Sequence, residues 1–129
     1  MSRSVNEEQQ LTMVEPDEAA VIAARAASDK KATEIVVLDL RKVASFTEFF
    51  VICTGTNQRQ VQAISNSVEE KLRLSGKRPR HIEGYSSAEW ILLDYGDFIV
   101  HVFSSSARRF YDLERLWRDA ERVDVKMDE

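Results

Sequence analysis

The sequence predicts a single-domain protein of the α/β (α+β) class, in which helices pack against one mixed β-sheet. The chain has 129 residues, which fits one domain and is long enough to bury a single core. Its segments follow the order helix, strand, strand, helix, strands, helix. Two of the strand segments are continuous apolar runs, the pattern of strands that are covered on both faces. These observations together favour one sheet with helices packed on it.

The first predicted helix and strand follow a polar N-terminal extension. Residues 1–14 are polar and aperiodic, and we expect them to be disordered. Pro16 suits the first turn of a helix, and the two acids that follow it favour the positive end of the helix dipole. An alanine-rich stretch carries this helix to about Lys31. The β-branched apolar run Ile35–Leu38 then predicts the first strand.

A second strand and a second helix are predicted next. Phe49–Cys53 is another continuous apolar run, and it is followed by Gly55, where the strand ends. Thr56 or Asn57 supplies the helix cap, and Gly76 suits the left-handed residue that ends a helix. The apolar stripe of this helix, at spacings of three and four, consists of Val61, Ile64, Val68 and Leu72.

An antiparallel hairpin is the clearest local prediction. A short strand around His81–Glu83 precedes the runs WILLD and DFIVHVF. The residues between these runs, Asp94-Tyr95-Gly96-Asp97, are typical of a tight turn, because glycine tolerates a positive φ and aspartate hydrogen-bonds local backbone. We expect Tyr95 to be exposed at the tip and both aspartates to point outward.

The last predicted helix begins after Ser104–Ser106, which offer caps. Its expected apolar stripe is Phe110, Leu113 and Leu116 or Trp117. Three i,i+4 ion pairs would support its exposed face: Arg108 with Asp112, Glu114 with Arg118, and Arg115 with Asp119. The predicted organisation is therefore an extension at 1–14, one folded domain at 15–119 and a polar tail at 120–129.

Composition and charge exclude several classes of protein. A net charge of −4 argues against a general nucleic-acid binder but leaves open a basic protein partner. The single cysteine, Cys53, permits neither an intramolecular disulfide nor a thiolate zinc cluster, and its apolar surroundings indicate a buried residue. The acidic N-terminus resembles no signal or transit peptide, and no apolar run reaches membrane-spanning length. The cytoplasm is the expected location.

The sequence offers little that supports catalysis. His101 shares an apolar strand face with Ile99 and Phe103, which is typical of a core histidine that hydrogen-bonds a neighbour. Neither a Ser-His-Asp signature, a zinc-binding HExxH motif nor a glycine-rich phosphate loop is present. One enzymatic alternative stays open, a divergent magnesium-dependent nucleotidyltransferase that uses Asp94 and Asp97. Otherwise no catalytic residue, metal, cofactor or small-molecule substrate is predicted.

A binding surface fits the residues better. Trp90, Tyr95, Tyr111 and Trp117 are large amphipathic side chains of the type enriched at interface centres. Acids at 94 and 97 would complement a basic protein partner. A further hypothesis is that the protein is a homodimeric adaptor that self-associates through the same aromatic residues. The run KLRLSGKRPR carries five basic residues and no acid, as a solvated helix end and loop would.

Three stretches carry a resemblance to a known family: FFVICTGTNQRQVQAISNSVEEKL, EGYSSAEWILLDYGDFIVHVF and ARRFYDLERLW. In order and spacing, from about Ala24 to Trp117, they closely resemble the ribosomal silencing factor family, also called the Iojap family. The combined signature W-x-L-x-D-Y-G-D, H-V-F and F-Y-x-L-E-x-L-W is long and specific. The chain departs from it at 47–50 and at 104–106, where the family commonly has A-D-Y-F and H-P-E.

The resemblance implies a fold related to nucleotidyltransferases without their catalysis. It also implies binding to large-subunit ribosomal protein L fourteen, on the face that meets the small subunit. Such binding blocks subunit joining and lowers translation when nutrients are scarce. Family members are often homodimers when free, and the basic run Lys71–Arg80 could contact ribosomal RNA at the periphery. The partner-facing residues implied by the family signature are Trp90, Leu92, Asp94, Tyr95, Gly96, Asp97, His101, Arg109, Tyr111 and Glu114.

Overall fold

The computed structural model describes residues 14–127 and contains one mixed six-stranded sheet. The strands are β1 (Thr33–Asp39), β2 (Phe49–Gly55), β3 (His81–Glu83), β4 (Trp90–Asp94), β5 (Phe98–Ser104) and β6 (Glu121–Val123). The helices are α1 (Pro16–Asp29), α2 (Gln58–Leu74), α3 (Ser105–Tyr111) and α4 (Leu113–Leu116). The predicted class, a single domain with a mixed sheet and packed helices, is confirmed.

The strand order across the sheet is β3-β4-β5-β2-β1-β6. Central strands β2 and β5 run parallel, and each of the other neighbouring pairs is antiparallel. Strand β2 is buried along its whole length, as its continuous apolar sequence predicts. The sheet is therefore mixed because one parallel pair, joined by a crossover through α2, lies at its centre.

The two long helices begin and end where their sequences predict. Helix α1 starts at Pro16 with a capping box between Glu15 and Glu18. In α2, Asn57 is the cap, and its side chain accepts a hydrogen bond from Gln60 N at 2.8 Å. A Schellman pattern ends α2, because Lys77 N donates to Leu72 O at 2.8 Å around the left-handed Gly76.

The two faces of the sheet are covered to different extents. Helices α1 and α2 cover one face, where alanines of α1 and the stripe of α2 pack on Val51, Val100 and Leu93. The other face carries a smaller cluster around Leu38, Phe50 and Phe103, which the short helices α3 and α4 and the loop between β1 and β2 cover in part. We call this less covered side the open face. No helix within residues 14–127 is long and apolar enough to cross a membrane.

The prediction of one continuous C-terminal helix is wrong. Asp112 adopts a left-handed conformation, with φ of 48°, and divides the segment into α3 and α4. Phe110 and Leu116 are 80% and 71% exposed, whereas Leu113 is buried and Trp117 packs against the cluster of the open face, so only part of the expected apolar stripe forms. The three i,i+4 ion pairs are also absent among the described residues, because Arg108 and Glu114 pair with each other and α4 ends at Leu116, before Arg118 and Asp119.

Part of the predicted polar tail belongs to the sheet. Glu121–Val123 forms β6 and pairs with β1, with Val37 opposite Val123. Val125 and Met127 pack against the helix-covered core. Alternating valines in an otherwise polar segment were the available signal for this strand. The predicted disorder at 1–14 lies outside the described residues, apart from Val14, which packs against the same core.

Arg108 replaces the predicted surface ion pairs with one internal pair. Its side chain is 6% exposed, donates to Glu114 at 2.7 and 3.1 Å, and donates to Thr54 Oγ1 at 2.8 Å. The hydrogen bond from Arg108 lowers the pKa of Glu114. This pair ties α3 and α4 to the central strand β2.

Replacing Glu114 with glutamine is expected to destabilise the fold by about 2–3 kcal/mol, because the buried Arg108 charge would lose its carboxylate partner. Urea denaturation followed by circular dichroism measures this loss. The matched control is Glu70→Gln at an exposed position, with an expected change below about 0.5 kcal/mol. Equal destabilisation by both variants would contradict a structural role for the pair.

Candidate binding face

Alternation along β4 and β5 positions the residues of the open face. Trp90, Leu92 and Asp94 are half-buried and alternate with the fully buried Ile91 and Leu93. Because successive side chains of a strand point to opposite sides, the first three lie together on the open face. The register places them opposite Phe103, His101 and Ile99 of β5, respectively. The next strand, β2, brings Phe50 beside Ile99.

An aromatic cluster spans this face. The ring of Trp90 lies 4.9 Å from that of Phe103 and 4.6 Å from that of Tyr111, measured between centroids. Phe50 contacts His101 edge to face, at 4.4 Å. Phe46, in the loop between β1 and β2, packs on Phe50 at 6.1 Å and is 57% exposed. Helix α3 therefore supplies Tyr111 to one end of the cluster, and the loop supplies Phe46.

His101 is buried beneath these rings, as the sequence predicts for a core histidine. It is 3% exposed, and its Nδ1 accepts a hydrogen bond from Trp90 Nε1 at 3.0 Å. Nε2 is buried and has no hydrogen-bond partner among the described residues. Burial lowers the pKa of His101 to about 3, so the ring is neutral at physiological pH. This histidine orients Trp90 and is not available as a base at the surface.

Because the folded state holds His101 neutral, stability should fall in acid. Between pH 6.5 and about 3 the unfolded chain binds a proton that the folded chain does not, so unfolding becomes more favourable as the pH falls. His101→Asn keeps an acceptor for Trp90 but removes the titrating ring. Between pH 7.5 and pH 5, we expect the free energy of unfolding of this variant to fall by about 2 kcal/mol less than that of wild type. Urea denaturation at both values measures the difference. A wild-type slope in His101→Asn would contradict the assignment of this acid-dependent loss to His101.

The hairpin tip differs from its prediction at Tyr95. The tyrosine ring stacks on Phe98 at 4.7 Å and packs against the helix-covered core, away from the open face. Its hydroxyl is buried without a partner among residues 14–127, and burial raises its pKa. The expectation of an exposed Tyr95 is thus wrong. The ring turns inward because Phe98 and the core on that side bury more of its apolar area than the tip could.

The two aspartates of the turn have different surroundings. Asp94 Oδ1 accepts a hydrogen bond from Gly96 N at 2.8 Å and lies 3.8 Å from an Arg80 nitrogen, so it faces into the turn instead of outward. Asp97 is exposed as expected. Thr47 Oγ1 donates to Gly96 O at 2.9 Å, which fixes the tip to the β1–β2 loop. The tip is therefore a fixed border of the open face.

The remaining predicted residues separate into two groups. Tyr111, 48% exposed, contacts Trp90, and Arg109 is exposed on the same helix, α3. The carboxylate of Glu114 is instead held within the fold by Arg108, at 2.7 Å. Sequence reasoning missed Phe46 as a member of the open face, because no local pattern shows where a loop residue packs. Period-two alternation had grouped Ile99 with His101, and the structure places that pair opposite Asp94 and Leu92.

A nucleotidyltransferase would need a free phosphate-binding helix start and a group of metal ligands. The amide and the hydroxyl of Thr56, at the start of α2, both donate to Gln60 Oε1, at 2.6 and 2.8 Å. Within residues 14–127, no group of three or more His, Cys, Asp or Glu side chains is placed to hold a metal ion. Burial raises the pKa of Cys53 to about 12, which keeps its thiol protonated.

The fold and this face define a class of protein: a single-domain α+β protein that presents an aromatic, partly uncovered sheet face beside a fixed hairpin tip. The family model described as "Ribosomal silencing factor during starvation" matches residues 14–129. The chain belongs to this ribosomal silencing factor family.

Individual relatives agree with the family match. The chain is 39% identical over 105 residues to "Ribosomal silencing factor RsfS" of Halalkalibacterium halodurans, covering 81% of this chain and 90% of that protein. It is also 39% identical over 104 residues to the protein of the same name from Bacillus subtilis, covering 81% and 88%. A crystal structure of a Chromobacterium violaceum protein superposes with a TM-score of 0.79 at 36% identity, covering 89% of this chain and 95% of that one.

Proposed function

We propose that this protein binds the large ribosomal subunit in the cytoplasm and blocks its association with the small subunit. The contact is with ribosomal protein L fourteen, and the effect is lower translation under nutrient limitation. The mechanism is steric, because the bound protein occupies a surface that the small subunit must contact. It requires no chemical step, cofactor or metal. Membership of a family described as silencing ribosomes during starvation supports the proposal.

The observation that carries the proposal is the open face. Its aromatic cluster presents Trp90, Tyr111 and the exposed Phe46 beside the half-buried Leu92. Aromatic anchors of this kind dominate binding energy when a partner removes them from water. Asp97, exposed at the tip, gives the border a negative charge that suits a basic ribosomal protein, and the half-buried Asp94 lies beside it. A contact of about 800 Å² per partner would suffice for specific binding.

Subunit reassociation tests the proposal. Purified large and small subunits are mixed with and without the protein, and the products are separated on a sucrose gradient. The expected result is a loss of joined ribosomes, with the protein in the large-subunit fractions. Undiminished joining at saturating protein would overturn the proposal. Light scattering of the free protein over a concentration series tests the accompanying proposal that it is a homodimer before it binds.

A further inference from the structure

A strongly basic patch lies outside the open face, at the end of α2 and in the segment that follows it. The patch comprises Lys71, Arg73, Lys77, Arg78 and Arg80. Four of these residues are exposed, and Lys77 is half-buried. Among the described residues only Arg80 has a carboxylate within 4.0 Å, that of Asp94 at 3.8 Å. The patch therefore presents nearly all of its positive charge to solvent.

This concentration of charge contrasts with the rest of the chain. The protein as a whole carries a net charge of −4, yet these five residues fall within ten positions that contain no acid. Lys71 and Arg73 lie in the last turn of α2, where the helix dipole favours cations. That effect does not account for Lys77 and Arg78, which lie beyond the helix and, unlike Arg80, have no carboxylate within 4.0 Å among the described residues. A ligand with several negative charges would account for them.

The backbone of the patch is held in place. Lys77 N donates to Leu72 O at 2.8 Å, and Arg80 N donates to Asp94 O at 2.7 Å. The Arg80 guanidinium also lies over the hairpin tip, since a Cβ added to Gly96 would be 3.4 Å from Arg80 Cζ. The patch is thus a fixed neighbour of the tip that borders the open face. When a partner is bound to the open face, the molecules that adjoin this partner would lie close to the basic patch.

We propose that the basic patch binds the phosphate backbone of ribosomal RNA next to the docked protein, which rests on the function proposed above. Two cations in the last turn of α2 and three in the fixed segment after it can neutralise several phosphates, and phosphate contacts need charge without base recognition. A protein partner would need an apolar centre, and the patch offers only Leu74, 65% exposed. The acidic remainder of the chain limits RNA binding to this patch, so affinity for free RNA should be weak.

Two matched triple variants test the RNA contact. The patch variant is Lys71→Gln, Lys77→Gln and Arg78→Gln. The control variant is Lys30→Gln, Arg59→Gln and Lys126→Gln, at exposed positions elsewhere, and it removes the same charge. Binding to purified large subunits is measured over about 50–200 mM salt, the range in which phosphate contacts change affinity most visibly. Binding to isolated ribosomal protein L fourteen is measured in parallel, and circular dichroism checks folding.

The patch variant should bind large subunits at least about 10-fold more weakly at low salt, with a salt slope smaller by roughly 2. Its affinity for isolated L fourteen should equal that of wild type, and the control variant should match wild type in both assays. Wild-type affinity and slope in the patch variant would overturn the RNA contact alone. An equal loss with isolated L fourteen would also overturn it, because the patch would then contact protein. Failure of wild type to bind large subunits would overturn the proposed function together with the RNA contact.

Discussion

Leu92→Arg is expected to weaken binding to the large subunit by about 30-fold or more, equivalent to at least 2 kcal/mol. Leu92 lies at the centre of the open face, half-buried between Trp90 and Asp94 and opposite His101. Arginine there would place a charge in the part of the contact that must lose its water, and it would repel a basic partner. The fold should tolerate the change, because the long side chain can extend from the face into solvent.

The matched control for this variant is Ile82→Arg. Ile82 is 37% exposed and pairs with Leu93, so it lies on the helix-covered side of edge strand β3. The control adds the same charge on the opposite side of the sheet, which also corrects for any general attraction to ribosomal RNA. It should bind large subunits as wild type does. Similar affinities for the two variants would show that the open face is not the contact surface.

Gly84→Ala is expected to destabilise the protein by more than about 4 kcal/mol, an unusually large cost for one methyl group. Gly84 follows β3 with φ of +82°, and an added Cβ would lie 2.0 Å from the carbonyl oxygen of Trp90. This neighbour is backbone and cannot rotate away. The same turn begins the loop that leads to Trp90, with Ala88 N donating to Gly84 O at 2.9 Å. The clash would therefore disturb both the edge of the sheet and the anchor of the open face.

Gly96→Ala separates this clash from the cost of a positive φ. Gly96 has nearly the same conformation, with φ of +88°, but its closest neighbours are side-chain atoms of Arg80 at 3.4 Å. Since that side chain can move, only backbone strain of about 1–2 kcal/mol is expected. Urea denaturation with equal m-values gives both differences in the free energy of unfolding. If the two variants unfold at the same urea concentration, the clash at Gly84 is not the deciding factor.

Local patterns predicted most elements because each pattern reports a local cause. The capping residue Asn57, the terminating Gly76 and the turn at Gly96 were predicted from backbone preferences that act within a few residues. The hairpin and the buried strand β2 were likewise predicted from alternation and from continuous apolar sequence. These signals carry no information about what approaches from elsewhere in the chain.

The errors are cases in which a distant contact competes with a local pattern. Arg108 and Asp112 have the spacing of a helical ion pair, but Arg108 is held by Glu114 and by Thr54 of a central strand. Tyr95 lies in a turn, yet its ring stacks on Phe98 and packs against the core. Strand β6 is short and polar, and pairing with β1 is what holds it in the sheet. None of these partners can be identified from neighbouring residues.

For the binding face, the sequence by itself determined which residues alternate along β4 and β5, because side chains of a strand change sides at every residue. Alternation assigned His101 to an apolar face with Ile99 and Phe103, and the family signature added Trp90, Leu92 and Asp94. Only the tertiary structure decided that this face stays partly open. Both long helices pack on the other side of the sheet, and the break at Asp112 leaves just two short helices over this one. Which face a helix covers depends on crossover connections and non-local packing, and a local pattern records neither.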